Sequence, residues 1–290
     1  MIERQIGFVN VIKPTGVTSF EVVSRVKKIF NEKHVGHLGT LDPAASGVLP
    51  IAVGKATKFF DYFLNKDKCY TALVKFGKET DTLDSFGNIT NINDKIILKE
   101  DIEKVISNFV GEIEQVPPKF SAIKIDGKKA YELARKNINF EIKSRKITIF
   151  DIKLIKNCGK NLFLFQVHCS AGTYIRTLFQ DIAKALKTVS TTVAIIRTKS
   201  GRFKIDDAKT LDELEKSPNV DLIENVFSDL QIIDISAKYA KKILNGVKLK
   251  LNEIDFNVDK SKEFLIKFQD KLVGLFKVEN NLITPIVYVY

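Results

Sequence analysis

The sequence predicts an α+β protein, with a mixed, mainly antiparallel sheet flanked by helices and a small, mostly β domain following it. Three observations carry this. Strand-like and helix-like stretches mix without the strict alternation that a doubly wound parallel sheet requires. Residues 68–77 alternate in the period-two manner of a pleated strand, with Tyr70, Ala72, Val74 and Phe76 on one face. From about Gln231 the style changes to short β-like runs separated by Lys and Asn turns. The 290 residues, 44% hydrophobic and 28% charged, suffice for one large domain with a small companion. We divide them at 1–230 and 231–290.

Gly7–Ile12 reads as a short buried strand, stopped by Lys13-Pro14-Thr15-Gly16. Thr18 and Glu21 have capping-box spacing, each side chain able to satisfy a backbone donor that a helix start leaves open. Val22, Val23, Val26, Ile29 and Phe30 then recur at helical intervals and give one apolar face. Gly36 to Gly54 holds four of the fifteen glycines and two of the seven prolines, and reads as a constrained loop rather than a long helix or central strand. Phe59, Phe60, Phe63 and Leu64 suggest a short buried helix. Residues 79–88, rich in acids and turn formers, lack the ligand spacing of a calcium loop and read as a polar turn.

Ile102, Val105, Ile106 and Phe109 mark a second amphipathic helix. Asp126-Gly127 is a turn pair before a helix over Ala130–Arg135. Lys143–Ile155 and Asn161–Cys169 form a strand pair around Asn157-Cys158-Gly159-Lys160. Ser170-Ala171-Gly172-Thr173 opens a helix carrying Tyr174, Ile175, Arg176, Leu178, Ile182 and Leu186. Val193–Thr198 is an apolar strand closed by Gly201-Arg202-Phe203, and Thr210–Phe227 is helical and charged. In the last domain a helix near Ala237–Leu244 precedes three β-like runs at 264–268, 272–278 and 283–289.

Lys and Arg number 46 against 35 acids, a formal charge of +11, which favours a polyanionic partner, nucleic acid first. Three cysteines without Cys-x-x-Cys spacing argue against a disulfide framework or a thiolate metal site, and for a reducing compartment. His34 and His37 can share a helical face, but no third ligand joins them, so no metal is expected. Residues 1–10 lack an apolar signal core and no apolar run is long enough to span a bilayer, so the expected location is the cytoplasm.

One carboxylate, Asp42, and one imidazole, His37, lie inside the glycine-rich segment. Asp42 precedes Pro43, which biases it to an extended or turn conformation. A carboxylate held on a rigid turn can serve as nucleophile or base if a cation elsewhere keeps it ionised; the plain alternative is an Asp that hydrogen-bonds its own turn. Arg176 at a helix start is a candidate cation, since a guanidinium pairs with a carboxylate in bidentate fashion. Tyr70 and Tyr174 offer rings on which a base can stack, or are core aromatics with satisfied hydroxyls. Asp84 orders Arg176, positions a substrate group or finishes its own turn.

These residues carry a resemblance. The stretch from Gly36-His37 to Lys58, with Gly39-Thr40-Leu41-Asp42-Pro43 at its centre, resembles the signature of the TruB family of tRNA pseudouridine synthases. Lys13-Pro14-Thr15-Gly16-Val17-Thr18-Ser19 is similar to the family's opening motif. Tyr70, Thr80-Asp81-Thr82 with Asp84 and Gly87, Gln115–Ala122, Gly127–Arg135 and Gly172-Thr173-Tyr174-Ile175-Arg176 follow in order, so the likeness covers most of residues 7–203. The tail resembles a PUA-like RNA-binding domain. The resemblance implies the pseudouridine synthase fold, a tRNA partner recognised at its T-arm and T-loop, and isomerisation of uridine-55 to pseudouridine without metal or other cofactor, by a monomer. It implies that Asp42 is the catalytic aspartate, that Arg176 pairs with it, and that Tyr70 stacks on the flipped base and acts in the sugar-proton step. It places Asp84 and Tyr174 in the polar and aromatic shell, His37 and Lys13 against the substrate, and Ile195 in the apolar wall. Two positions depart from the family: Ile196-Arg197-Thr198 stands where two successive arginines are common, and Asn137, a turn variation, where glycine is usual. Other readings are a guide-RNA-dependent synthase subunit, disfavoured by the compact tail, and a tRNA-binding or folding module without catalysis.

Overall fold

The computed structural model describes residues 6–136 and 138–290; Met1–Gln5 and the turn variation at Asn137 lie outside them. The large sheet has nine strands: β1 (Gly7–Lys13), β2 (Val35–His37), β3 (Ala45–Val53), β4 (Lys68–Phe76), β5 (Gly111–Gln115), β6 (Arg145–Asn157), β7 (Leu162–Cys169), β8 (Ser190–Ser200) and β9 (Phe203–Lys204). Their order is β1-β3-β8-β4-β7-β6-β5, with β2 beside β3 and β9 beside β8. All pairs are antiparallel except β3 with β8, so the sheet is mixed and mainly antiparallel as its sequence predicts. Along β4 buried and half-buried residues alternate one by one, and Tyr70, Ala72, Val74 and Phe76 face the core.

Three helices supply much of the rest of that core, α1 (Ser19–Phe30), α2 (Lys99–Ile106) and α3 (Ile175–Ala185), and the short helix Leu211–Lys216 adds Leu211 and Leu214. The predicted capping box starts α1, with Thr18 Oγ1 accepting from Glu21 N at 3.1 Å and the Glu21 carboxylate accepting from Thr18 N at 2.7 Å. Val22, Val23 and Val26 of α1 join Ile102 and Ile106 of α2 and Leu178, Phe179 and Ile182 of α3. Full burial of such side chains contributes about 1.5–3 kcal/mol each.

Three local expectations need correction. The glycine-rich segment is a loop only over residues 38–44; Gly36 and His37 belong to β2, and its second half is β3, an almost wholly buried interior strand. Pro50 fits there because its carbonyl accepts from Leu38 N, so its missing N–H faces the gap where β3 changes partner from β8 to β2. His37 closes β2, so it shares no helical face with His34. Phe59 and Phe63 are buried, but Phe60 and Leu64 are exposed, because the short helix Phe60–Leu64 turns only one side inward.

A second sheet follows: β10 (Gln231–Asp234), β11 (Leu249–Lys250), β12 (Phe264–Phe268), β13 (Lys271–Glu279) and β14 (Leu282–Tyr288), in the order β10-β12-β13-β14-β11. One side packs against α4 (Ala237–Leu244) through Tyr239, Ile243, Phe264, Ile266 and Phe276. Leu265, Leu275 and Val287 point the other way, into a layer with Phe8, Phe59, Phe63, Phe203 and Phe227. Phe8 and Phe63 meet edge to face at 5.1 Å within it, and Tyr62 Oη donates to Glu263 at 2.6 Å beside it. The two sheets therefore share an apolar core.

Candidate active site

Asp42 sits on the loop between β2 and β3, tied down from several sides. Ser19 Oγ accepts from Leu41 N at 2.9 Å and donates to Leu41 O at 3.0 Å, so the first residue of α1 grips the backbone beside the carboxylate. Gly16 N donates to Pro43 O, and Ala45 N to Asp42 O. The opening motif and the Asp loop are thus one unit, although 24 residues separate Thr18 and Asp42. The Asp42 side chain remains one-third exposed.

Arg176, in the first turn of α3, is buried and donates from Nη2 to Asp42 Oδ2 at 2.6 Å. Further bonds to Thr82 O at 2.8 Å and Phe120 O at 3.0 Å fix the plane of the guanidinium. Asp84 Oδ2 lies 3.7 Å from Arg176 Nη1. The other oxygen of Asp84 accepts from Thr82 Oγ1 at 2.6 Å and Phe86 N at 3.0 Å, so this carboxylate both finishes its turn and stands behind the arginine. The two Nη atoms of Arg176 are thus paired and hydrogen-bonded, which offsets the cost of burying the charge, while its Nε has no partner among the described residues.

A narrow cavity of about 80 Å³ opens over this pair, lined by Asp42, Tyr70, Tyr174, Arg176, Ile195 and Thr173 among others. Tyr70 comes from β4 and Ile195 from β8, on adjacent strands. Burial pushes the Tyr70 phenol up to about 12, so in the free protein it is a proton donor near neutral pH. Tyr174 is held by Gln115, whose amide accepts from Tyr174 N at 2.8 Å and donates to Tyr174 O at 3.1 Å, and the Arg145 guanidinium lies over its ring at 4.8 Å. A much larger groove, about 900 Å³, lies at the far end of β4 around Lys75–Lys78 and includes none of these side chains.

Two predicted substrate contacts stand apart from the cavity lining. Lys13 is wholly buried, its ammonium donating to Val17 O at 2.7 Å and Pro14 O at 2.9 Å; this is the placement of a clamp on the opening turn, not of a group that meets substrate. Burial brings its pKa down to about 8 against the pull of Asp42. His37 is half-buried, its Nδ1 has no partner among the described residues, and burial followed by the charge of Arg197 holds its pKa below the usual histidine value. Ile196 is exposed, whereas Arg197 is buried and bonded to the Asp42 loop. The sequence does not mark Gln115, Arg145 or Arg197 as site residues, yet each holds part of the site. The available signals were a lone charge in an apolar strand for Arg197 and a polar residue before two prolines for Gln115. Among the described residues no three His, Cys, Asp or Glu side chains are grouped so as to hold a metal ion.

A family model described as TruB family pseudouridylate synthase (N terminal domain) matches residues 27–175, the span that carries Asp42, Tyr70 and Asp84. The chain belongs to the TruB family. Among its relatives is tRNA pseudouridine synthase B of Clostridium kluyveri, 40% identical over 280 residues that cover 93% of this chain and 94% of the relative. The protein of the same name from Caldanaerobacter subterraneus subsp. tengcongensis is 39% identical over 283 residues, covering 96% and 97%. Among solved structures, a chain of a Cbf5-Nop10-Gar1 complex superimposes with a TM-score of 0.73 at 27% identity, covering 100% of this chain and 86% of that one. A chain of an H/ACA RNP bound to a substrate RNA containing 2'-deoxyuridine gives 0.70 at 26% identity, covering 99% and 86%. With 93% or more of this chain covered in each case, these likenesses reach into the second sheet.

Proposed function

We propose that this TruB-family chain isomerises uridine-55 in the T-loop of tRNA to pseudouridine, with Asp42 as the catalytic aspartate. The observation that carries the reading is the Asp42 carboxylate, one-third exposed to a cavity walled by Tyr70 and Ile195 and bound by Arg176 at 2.6 Å. The relatives named tRNA pseudouridine synthase B support the tRNA substrate.

The reaction breaks the bond between ribose C1′ and uracil N1 and forms one from C1′ to C5; C5 loses its hydrogen as a proton and N1 gains one. The target base leaves its stack in the folded RNA first, at a cost of about a few kcal/mol. Stacking on aromatic side chains offsets that by about 1–3 kcal/mol per base, and Tyr70 and Tyr174 supply the rings. Two routes use the carboxylate: attack on C1′, which yields a covalent ribosyl ester, or departure of uracil with loss of the C2′ proton through a glycal. Arg176 holds Asp42 in place for either route, with Asp84 behind it. A Tyr70 phenol near pKa 12 enters the reaction as a donor and stack, and serves as base only if substrate changes its surroundings. Ile195 forms the apolar wall, and His37 meets nucleotides displaced with the target at the edge of the loop.

The proposed active form is a monomer. The segment 231–290, with ten lysines and seven acids, serves as a PUA-like arm for the tRNA. Among the described residues no helix is long and apolar enough to cross a membrane, which fits work on tRNA in the cytoplasm. The likeness to chains solved in Cbf5 and H/ACA assemblies motivates a second reading, action within an RNA-guided particle.

The test uses T-arm RNA carrying tritium at uridine C5. Wild-type chain alone is expected to release one tritium per target uridine, and Asp42→Asn to bind the RNA with undiminished affinity and release none. Release by Asp42→Asn refutes the catalytic assignment, and a need for guide RNA favours the second reading.

A further inference from the structure

Arg197 is 1% exposed and lies in the middle of the sheet, opposite Tyr70 on one side and Gly47 on the other. Its guanidinium donates from Nε to Val48 O at 2.7 Å, from Nη1 to Thr40 O at 3.1 Å and from Nη2 to Gly39 O at 3.1 Å. These acceptors mark the two ends of one segment: Gly39 and Thr40 lie three and two residues before Asp42, and Val48 six after it. We propose that Arg197 is a positioning residue of the site, tying the start of the Asp42 loop at Gly39 and Thr40 to Val48 of β3, the strand that follows it, and so setting where the carboxylate stands against the ribose. The inference rests on reading Asp42 as the catalytic group.

The charge is the informative part. A buried cation costs several kcal/mol in desolvation and is kept only where its hydrogen bonds are well made. Here its three bonds to the 39–48 segment go to backbone carbonyls rather than to a carboxylate, and its charge also reaches the Tyr70 phenol. Only a planar fork reaches acceptors on both sides of the loop at once; an ammonium is a point charge on a flexible stem. Other loop groups are already engaged: Leu38 N by Pro50 O, Leu41 by Ser19, and Asp42 O by Ala45 N. Arg197 takes the two carbonyls between them. The fit is tight at Gly47, whose φ is +103° and where a Cβ would come within 2.3 Å of Arg197 O.

Arg197→Lys and Arg197→Ala in the full chain test this, with Asp42→Asn beside them, by single-turnover tritium release and by RNA affinity. A small misplacement of a reacting group costs about 10²-fold in rate. We therefore expect the Arg197→Lys single-turnover rate constant to fall by about that factor with the RNA dissociation constant unchanged, and added guanidinium ion to restore part of the rate of Arg197→Ala but none to Asp42→Asn. An unchanged rate in Arg197→Lys, or rate and affinity falling together, overturns the proposal. If Asp42→Asn is inactive and Arg197→Lys is not, only this inference fails; if Asp42→Asn is active, the catalytic reading fails. Should the variants not fold, the wild type still decides. Of its seven arginines, labelled with ¹⁵N, Arg176 and Arg197 should both show slowed Nη exchange, and Arg197 should keep it unshifted when RNA binds. A rapidly exchanging Arg197, or one displaced by RNA, overturns the positioning role.

Discussion

Replacing Arg176 by lysine isolates what the guanidinium does beyond carrying charge. The native side chain makes three bonds, at 2.6 Å to Asp42, 2.8 Å to Thr82 O and 3.0 Å to Phe120 O, from two nitrogens facing different ways. An ammonium at the end of a flexible stem keeps the charge but cannot span the carboxylate and both carbonyls, so one or two charged hydrogen bonds are lost. Each is worth about 1.5–3 kcal/mol when both partners are buried. Asp42 is one-third exposed, and water screens its share. We place the net loss of stability at about 2–3 kcal/mol. Catalysis should suffer more than folding suggests: the carboxylate loses the partner that sets its angle, and about 10²-fold in single-turnover rate is expected. Urea denaturation and tritium release from the same preparation measure the two effects. A variant with the wild-type denaturation midpoint and rate would show that the pair is incidental.

Two other perturbations report on groups outside the cavity. For Lys13, buried with a pKa near 8, the unfolded chain still holds the proton between about pH 8 and 10.4 while the folded one sheds it. Wild-type stability should therefore rise relative to Lys13→Met across that window, by about 2 kcal/mol at pH 10, with no slope between them from pH 6 to 7.5; parallel melting curves throughout would refute the assignment. Leu265→Ala, in the layer shared by the two sheets, should cost about 2–5 kcal/mol and lower one common calorimetric transition. If the second sheet melts separately while the first keeps its midpoint, the shared core does not couple them.

What could be read from the residues follows from the range of the interactions involved. Short-range rules did well. The Thr18–Glu21 capping box starts α1, and the alternation at 68–76 is a strand with Tyr70 turned inward. Ala130–Arg135 is a helix after the Asp126-Gly127 turn. The failures came where a neighbour distant in sequence overrides a local preference. Glycines and prolines at 36–54 signal a loop, yet β3 forms because Gly47 allows the backbone of Arg197 to approach and Pro50 faces a gap in its ladder. Lys13 belongs to a recognisable motif, but only the fold shows its ammonium turned onto the carbonyls of Pro14 and Val17.

The same contrast explains why the candidate site divided as it did. Asp42 and Arg176 were candidates from chemistry alone, since a rigid carboxylate without a sequence neighbour of opposite charge needs a cation from elsewhere. Residues that hold the site leave a weaker trace. Gln115 grips the backbone of Tyr174, not its phenol, and Arg197 grips carbonyls that every residue possesses. A side chain whose partner is the main chain has no complementary residue type to betray it. What remains in the sequence is the anomaly of a polar group where the pattern calls for an apolar one. Arg197 within Val193–Thr198 is such an anomaly, and the strand buries it because the carbonyls at 39, 40 and 48 converge on that point.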